Sequence, residues 1–208
     1  VIAEKGFDVH LSIKNTLIDM YGKCGKLDDA RMMFDKSEQR SFVTWNAMIA
    51  GHAWHGHGYS ALDLYSRMQQ QDGFQPEKIT FLCTLKACGN IGFLEMGEQI
   101  HAQVKNYGLI ENHIILGNAI VDMYSKCGKI EKAQKLLDEL PERTVVTWSA
   151  LITGYTQNGL GDEALKCFRR MREVGVYPSA VTYICILKAC GIVGCLEIGE
   201  DIDAEVTV

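Results

Sequence analysis

The stretch Asn118-Ala-Ile-Val-Asp-Met-Tyr-Ser-Lys-Cys-Gly-Lys129 repeats, 103 positions later, the stretch Asn15-Thr-Leu-Ile-Asp-Met-Tyr-Gly-Lys-Cys-Gly-Lys26. A second pair has the same offset, because Val43–Ile49 returns as Val146–Ile152 with only two differences. This period is too long for one unit of a helical array, whose repeats usually span 20 to 50 residues. Each block therefore contains several shorter units.

Every unit has the pattern of two amphipathic helices. In the second unit, Trp45, Met48 and Ile49 have the i, i+3, i+4 spacing of one apolar helix face, and a second such face follows Gly58. A single helix pair cannot bury both apolar faces, but stacked pairs can. The sequence predicts an all-α fold, a right-handed α-solenoid (superhelix) of helix-turn-helix repeats. The predicted boundaries are 1–10 (the tail of a preceding repeat), 11–41, 42–77, 78–113, 114–144, 145–179 and 180–208 (truncated), together one solenoid domain.

Composition restricts the classes of protein to which the chain can belong. Its 208 residues are 47% hydrophobic and 23% charged, which is typical of a chain that folds around a core. No run of 18 apolar residues occurs, so no membrane span is predicted. The chain starts at Val1, which suggests a fragment of a longer protein. A formal net charge of −5 disfavours indiscriminate polyanion binding, because phosphate neutralisation requires Lys and Arg.

Six of the eight cysteines follow the repeat, and their spacing is not that of a disulfide or zinc pattern. A chain of this size does not need disulfides to hold its core. We interpret them as small apolar residues that pack between helices. These six form three pairs with nearly the same offset: Cys24 with Cys127, Cys83 with Cys185, and Cys88 with Cys190.

At these motifs the sequence resembles the pentatricopeptide repeat (PPR) family, and in particular its plant PLS subclass, in which short (S), standard (P) and long (L) repeats alternate. The segments that start at Asn15 and Asn118 resemble S repeats, and those that start at Val43 and Val146 resemble P repeats. The segments TFLCTLKACGNIGFLEMGEQIHAQV and TYICILKACGIVGCLEIGEDIDAEV resemble L repeats. The order S-P-L-S-P-L covers nearly the whole chain, and residues 1–10 resemble the tail of a preceding L repeat.

The resemblance implies that each repeat faces one RNA base. In the family, the fifth residue of the first helix and the last residue of the repeat contact the edge of the base. Carried over to this sequence, the base-specifying residues are Asn15, Ser41, Asn46, Glu77, Asn118, Thr144, Ser149 and Ser179. In the L repeats the fifth residues are Leu82 and Ile184, whose side chains have no hydrogen-bonding group.

An apolar second residue of each repeat is implied to stack on the base. These base-stacking residues are Val43, Ile79, Ile115, Val146 and Val181, whereas Ser12 interrupts the series. The alternative is that these apolar residues only pack between repeats.

The side chains at the fifth position predict part of the target sequence. An Asn amide carries both a donor and an acceptor and matches the mixed edge of a pyrimidine, whereas a short hydroxyl leaves room for a purine. The family's pattern has the same preference. The predicted 5′-to-3′ register is pyrimidine, pyrimidine, any base, pyrimidine, purine, any base.

Positive charge in this acidic chain is predicted to lie in a discontinuous stripe on the first helices. The candidate RNA phosphate contacts are Lys23, Lys86, Lys126 and Lys188. Net charge can conceal such local segregation. The alternative is an ordinary solvated helix face.

No catalytic residue, metal site or cofactor is predicted, and the segment is not expected to be an enzyme. The zinc-dependent deaminase signature of some PLS proteins is absent, since neither H-x-E nor C-x-x-C occurs. His52, His55 and His57 crowd one loop, but the other P repeat has no equivalent histidines, so we interpret the cluster as coincidental.

Two functions remain open from the sequence. The first is selective binding of single-stranded RNA, one base per repeat, as part of an organellar factor for C-to-U RNA editing or RNA processing. Such a factor would lie in a mitochondrion or chloroplast, with accessory editing-factor proteins as possible partners through the L repeats, and with no membrane or small-molecule substrate. The second is a helical-repeat scaffold for protein–protein interaction, since tetratricopeptide arrays have similar helix pairs.

Overall fold

The computed structural model describes residues 2–37, 40–71 and 73–207, and describes side chains for residues 11–37, 40–70 and 73–206. Within these residues the backbone forms helices and no strand, which confirms the predicted all-α fold. The helices are α1 (Ile2–Lys23), α2 (Leu27–Asp35), α3 (Phe42–Trp54), α4 (Gly58–Gln71), α5 (Lys78–Ile91), α6 (Leu94–Asn106), α7 (Leu109–Asn112), α8 (Ile114–Lys126), α9 (Ile130–Glu139), α10 (Val145–Gln157), α11 (Gly161–Glu173), α12 (Ala180–Val193) and α13 (Leu196–Thr207).

Local sequence determines where these helices start and stop. The side chain of Ser41 accepts a hydrogen bond from the backbone N–H of Thr44, so it caps the first turn of α3. Just beyond the other end of α3, Gly56 has a φ of 81°, a left-handed conformation that glycine adopts without strain. The result is a tight connection between α3 and α4.

The chain divides into two compact units, with the boundary along the sequence between Ile100 and His101. In the first unit, α1 packs against α2 and α3, and α3 packs in turn against α4 and α5. Each first helix therefore contacts its own partner and the first helix of the next pair, as stacking of helix pairs requires. Trp45 and Phe34 are fully buried there, with ring centroids 4.8 Å apart.

The second unit repeats this arrangement. Helix α8 packs against α9 and α10, α10 packs against α11 and α12, and α12 packs against α13. Trp148 on α10 is fully buried, as its counterpart Trp45 is in the first unit. Within each unit the structure thus has the stacked helix pairs of an α-solenoid.

Five helices begin at the residues where the sequence places repeat joints, namely Phe42, Lys78, Ile114, Val145 and Ala180. The predicted joint before residue 11 does not coincide with a helix start, because α1 runs through it without interruption. The short helix α7, between Gly108 and His113, was not predicted. Assignment of the pairs to S, P and L classes stays a prediction.

Neighbouring first helices approach one another closely at glycines. A Cβ atom added to Gly154 on α10 would lie 2.6 Å from the Cβ of Ser125 on α8. In the first unit, a Cβ on Gly51 would lie 3.0 Å from the Cα of Gly22 on α1. These positions therefore set how close adjacent pairs can stand. None of the helices described above combines the length and the apolar character needed to cross a membrane.

Candidate nucleic-acid interface

The five predicted base-stacking residues are all exposed to a similar degree. Each is the second residue of a first helix, directly after the N-terminal residue of α3, α5, α8, α10 or α12. Their exposed fractions are 58% for Val43, 57% for Ile79, 56% for Ile115, 57% for Val146 and 57% for Val181. By contrast, Val121 on α8 is fully buried. Each of the five side chains therefore leaves more than half of its surface available to a ligand.

On a helix, residues three positions apart are surface neighbours about one turn from each other, so Val43, Ile115 and Val146 each have a predicted base-specifying residue as such a neighbour. Ile79 and Val181 have Leu82 and Ile184 there instead. Ile115 and Asn118 have this spacing on α8, as do Val146 and Ser149 on α10. Position two of one helix, position five of the same helix and the last residue of the repeat are the three sites implied by the family resemblance.

In the first predicted S repeat, residues 11–41, the fifth and last residues are joined by hydrogen bonds. Asn15 Nδ2 donates to Ser41 Oγ over 3.1 Å. Thr44 Oγ1 donates to Asn15 Oδ1 over 2.6 Å, and the backbone N–H of Ser41 donates to Thr44 Oγ1 over 3.0 Å. Three residues from two repeats therefore form one closed polar cluster at the junction.

The second S repeat has the same cluster. Asn118 Nδ2 donates to Thr144 Oγ1 over 3.3 Å, and Thr147 Oγ1 donates to Asn118 Oδ1. The backbone N–H of Thr144 donates to Thr147 Oγ1 over 3.1 Å. Asn118 is only 9% exposed, so its amide is held in place before any ligand arrives.

The P repeats show variants of the cluster. In the first, Thr80 Oγ1 donates to Asn46 Oδ1 over 2.8 Å, and the exposed Glu77 donates its backbone N–H to Thr80 Oγ1 over 3.2 Å. In the second, the hydroxyls of Ser149 and Thr182 are 2.7 Å apart, and the backbone N–H of Ser179 donates to Thr182 Oγ1 over 3.0 Å. All eight predicted base-specifying residues thus lie at the junction between two repeats.

The fifth residues of the L repeats lie at the same helical position without a polar group. Leu82 is half-buried, and Ile184 is 53% exposed. They offer apolar surface alone, so these repeats have no means at this position of distinguishing base edges by hydrogen bonding.

The predicted phosphate contacts are exposed, but two of them are already paired. Lys23 Nζ lies 2.6 Å from Asp19, and Lys126 Nζ lies 2.6 Å from Asp122, each one turn earlier on the same helix. These bridges are solvent-exposed and correspondingly weak. The aspartates still reduce the positive potential near these two lysines. The net charge of the chain does not reveal this local pairing.

The two lysines on the L repeats have different surroundings. Lys86 Nζ lies 5.9 Å from the ring centroid of Trp54, at the distance of a cation–π contact. Lys188 is exposed, and the described residues include no ion-pair partner for it. Lys86 and Lys188 therefore keep more of their charge available than Lys23 and Lys126.

The histidine loop does not form a metal cluster. His52 and His57 have ring centroids 6.0 Å apart, and the His55 ring covers Gly25. Among the described residues, no group of three or more His, Cys, Asp or Glu side chains is arranged to hold a metal ion. Burial, and then the neighbouring His57, lower the pKa of His52, whose two ring nitrogens are buried without a hydrogen-bond partner.

All eight cysteines are free thiols. Burial raises the pKa of Cys83 to about 11 and that of Cys167 to about 12. At neutral pH these two thiols are protonated and poorly nucleophilic, in line with their interpretation as packing residues.

Sequence reasoning missed one class of residue at the interface. A threonine stands at the third position of α3, α5, α10 and α12, and each of these threonines is 0–1% exposed. The sequence does carry a signal for them, because each polar fifth residue is followed 29 to 34 residues later by one of these threonines. They are Thr44, Thr80, Thr147 and Thr182.

Comparison with known proteins gives the family of the chain. A model described as the PPR repeat family matches residues 40–90 and 143–191, and a model described as the PPR repeat matches residues 13–42 and 118–145. One pentatricopeptide repeat-containing protein of Arabidopsis thaliana is 40% identical over 92% of this chain and 26% of its own length. A mitochondrial member from the same plant is 38% identical over 95% of this chain and 31% of its own length, and a chloroplastic one is 35% identical over 95% and 23%. The chain spans about a quarter of the length of these relatives.

Solved structures show the same fold. The maize pentatricopeptide repeat protein PPR10 matches with a TM-score of 0.70 at 22% identity, over 94% of this chain and 29% of the other. The PPR domain of Arabidopsis thaliana protein-only RNase P 1, solved in complex with tRNA, matches with a TM-score of 0.64 at 18% identity, over 86% and 97%. The predicted α-solenoid is therefore confirmed. Because the two family models together cover most of the sequence, the chain belongs to the pentatricopeptide repeat family.

Proposed function

We propose that this segment binds single-stranded RNA selectively, with one base at each repeat, as the recognition part of an organellar RNA-editing or RNA-processing factor of the PLS subclass. The observation that carries the proposal is the coincidence, on α3, α8 and α10, of an aliphatic side chain more than half exposed and a polar cluster one turn away. The first matches the flat face of a base, and the second matches its hydrogen-bonding edge.

The roles of individual residues follow from these positions. Val43, Ile79, Ile115, Val146 and Val181 stack on bases, and Asn15, Ser41, Asn46, Glu77, Asn118, Thr144, Ser149 and Ser179 specify them. Lys23, Lys86, Lys126 and Lys188 contact phosphates, with the larger share expected from the two lysines that lack an aspartate one turn away. With four lysines and an acidic chain, we expect selectivity to exceed affinity.

The cellular setting belongs to the same proposal. Several relatives are named mitochondrial or chloroplastic, which supports an organellar location for the protein from which this segment comes. We propose that the segment itself binds and does not catalyse, and that any deaminase-like domain lies outside this segment. The L repeats are the candidate surface for contacts with accessory editing-factor proteins.

Selection from a pool of short RNAs tests the function. Six-nucleotide sites with every position randomised would be bound by the 208-residue chain and sequenced. Enrichment of pyrimidine opposite Asn118, and its loss in Asn118→Ala, is expected. Asn112→Ala is the matched control, because the Asn112 amide donates to the carbonyl of Gly108 at the start of its own helix and lies outside the polar clusters. A uniform pool in both variants and the unchanged chain would contradict RNA selectivity and favour the scaffold function.

A further inference from the structure

The four buried threonines at the repeat junctions make a bond that helix capping does not require. In a capping box, the side chain at the third position needs only to accept the N–H of the N-cap residue. Thr44, Thr80 and Thr147 do so over 3.0 to 3.2 Å. Each of them also donates its hydroxyl hydrogen across the junction to the fifth residue of the preceding repeat.

The direction of this second bond is fixed by chemistry. An amide oxygen only accepts, so the hydrogen between Thr147 Oγ1 and Asn118 Oδ1 belongs to the threonine. This bond decides which end of the amide turns away from the core. Asn118 therefore has its oxygen held inward and its Nδ2 group directed to the junction, where one N–H reaches Thr144. The other N–H is left for a ligand.

We propose that Thr44, Thr80, Thr147 and Thr182 are positioning residues for base selection, which orient the fifth residue so that a defined donor faces the base. The proposal rests on the proposed RNA function and adds to it the residue that sets the polarity of each asparagine. The three threonines that face an asparagine fix its amide in one orientation. Thr182 faces Ser149, where either hydroxyl can donate, so that repeat presents a donor or an acceptor and discriminates less.

The sequence pattern agrees with a role in selection. Where the fifth residue of a repeat is apolar, as Leu82 is, the third position of the next first helix is Leu116 and not threonine. Helix α8, which carries Leu116, also has no capping box at its start, so the threonine, the capping box and the polar fifth residue occur together.

Three variants of the full 208-residue chain separate positioning from stability. Thr147→Val removes the hydroxyl at nearly constant volume, and Thr147→Ser keeps it. Thr156→Val is the matched control on the same helix, because the buried Thr156 hydroxyl donates to the carbonyls of Ile152 and Cys185 and, among the described residues, to no fifth residue of a repeat. All three would be compared at a temperature where urea unfolding shows them fully folded.

The first measurement needs no RNA. The order parameter of the Asn118 side-chain amide, from ¹⁵N relaxation, is expected to be near the rigid value of about 0.85 in the unchanged chain and to fall below about 0.6 in Thr147→Val. Thr147→Ser and Thr156→Val are expected to leave it high. An Asn118 amide that stays equally ordered in Thr147→Val would overturn the proposal.

The second measurement uses six-nucleotide RNAs that differ only in the base opposite Asn118. The ratio of pyrimidine to purine affinity is expected to fall roughly three- to tenfold in Thr147→Val, the range that one hydrogen bond supplies, and to be retained in Thr147→Ser and Thr156→Val. If no RNA is selected by the unchanged chain while the Asn118 amide is released by Thr147→Val, the proposed function fails and the positioning of Asn118 stands. If the ratio persists in Thr147→Val, the assignment to base selection is wrong even though RNA binding holds.

Discussion

Truncating Val146 to alanine separates base stacking from packing between repeats. The change removes two methyl groups, each worth about 0.8 kcal/mol when fully buried, or about 1.6 kcal/mol together. Because Val146 is 57% exposed, the folded chain loses less than half of this, about 0.7 kcal/mol. The remaining ~0.9 kcal/mol is gained only when a base covers the side chain, so the RNA dissociation constant is expected to rise about fivefold.

The assay pairs urea unfolding with fluorescence anisotropy on a six-nucleotide RNA. Val121→Ala is the matched control, because Val121 is fully buried on the neighbouring helix α8. That variant is expected to lose about 2–3 kcal/mol of unfolding free energy, from transfer and the cavity left behind, with RNA affinity unchanged while folded. Our reasoning is refuted if Val146→Ala destabilises the fold as much as Val121→Ala and leaves the RNA affinity as it was.

Three further changes test packing, titration and charge. Gly154→Ala places a Cβ against α8 and is expected to cost about 1–3 kcal/mol in urea unfolding, whereas Gly191→Ala, which meets nothing within 4 Å, is expected to stabilise by about 0.5–1 kcal/mol. Because the pKa of His52 is lowered in the folded chain, the unfolded state binds the proton first, and the free energy of unfolding falls as the pH drops below 6.5. His52→Tyr, which introduces the residue found at the equivalent position of the second unit, is expected to reduce the difference in unfolding free energy between pH 7 and pH 5. Asp122→Asn releases Lys126 and is expected to raise RNA affinity about two- to threefold at low salt, with a steeper salt dependence in anisotropy titrations.

Each of these has a distinct contrary result. Equal changes in unfolding free energy for Gly154→Ala and Gly191→Ala would show that the close approach of α8 and α10 does not determine the effect of an added Cβ. An unchanged pH profile in the tyrosine variant would assign the titration to another group. An unaltered salt slope after removal of the aspartate would take Lys126 out of the phosphate contacts.

The helical architecture could be predicted because the repeat supplies several independent copies of the same signal. Trp45 and Trp148 begin matching apolar faces in the two blocks, and both are fully buried. The unbroken helix α1 and the short helix α7 could not be predicted in the same way. Each lies where the two blocks differ, so comparison within the chain offers no guide, and local propensity alone places helix ends poorly.

The candidate interface was only partly visible in the sequence. The positions of Val146 and Asn118 follow from the repeat register. How much of the Val146 side chain is exposed depends on the packing of the neighbouring helices, which the sequence does not give. Thr147 resembles an ordinary capping residue when its own helix is considered, since its partner lies 29 residues away. The pairing of Lys126 with Asp122 was available from their i, i+4 spacing, which a search for positive charge alone overlooks.

The capping role of the last residue of a repeat restricts which residue types can stand at this position to recognise RNA. Ser41, Thr144 and Ser179 each end one repeat and cap the first helix of the next. Good N-caps are Ser, Thr, Asp and Asn, and a change to an apolar residue costs about 1 kcal/mol at each junction. An evolving or redesigned array can therefore exchange specificities freely only within this small set of residues. In an array of many repeats, residue types outside this set would destabilise the fold at every junction. Stability of the fold, more than the chemistry of the bases, would then limit which residues can be used.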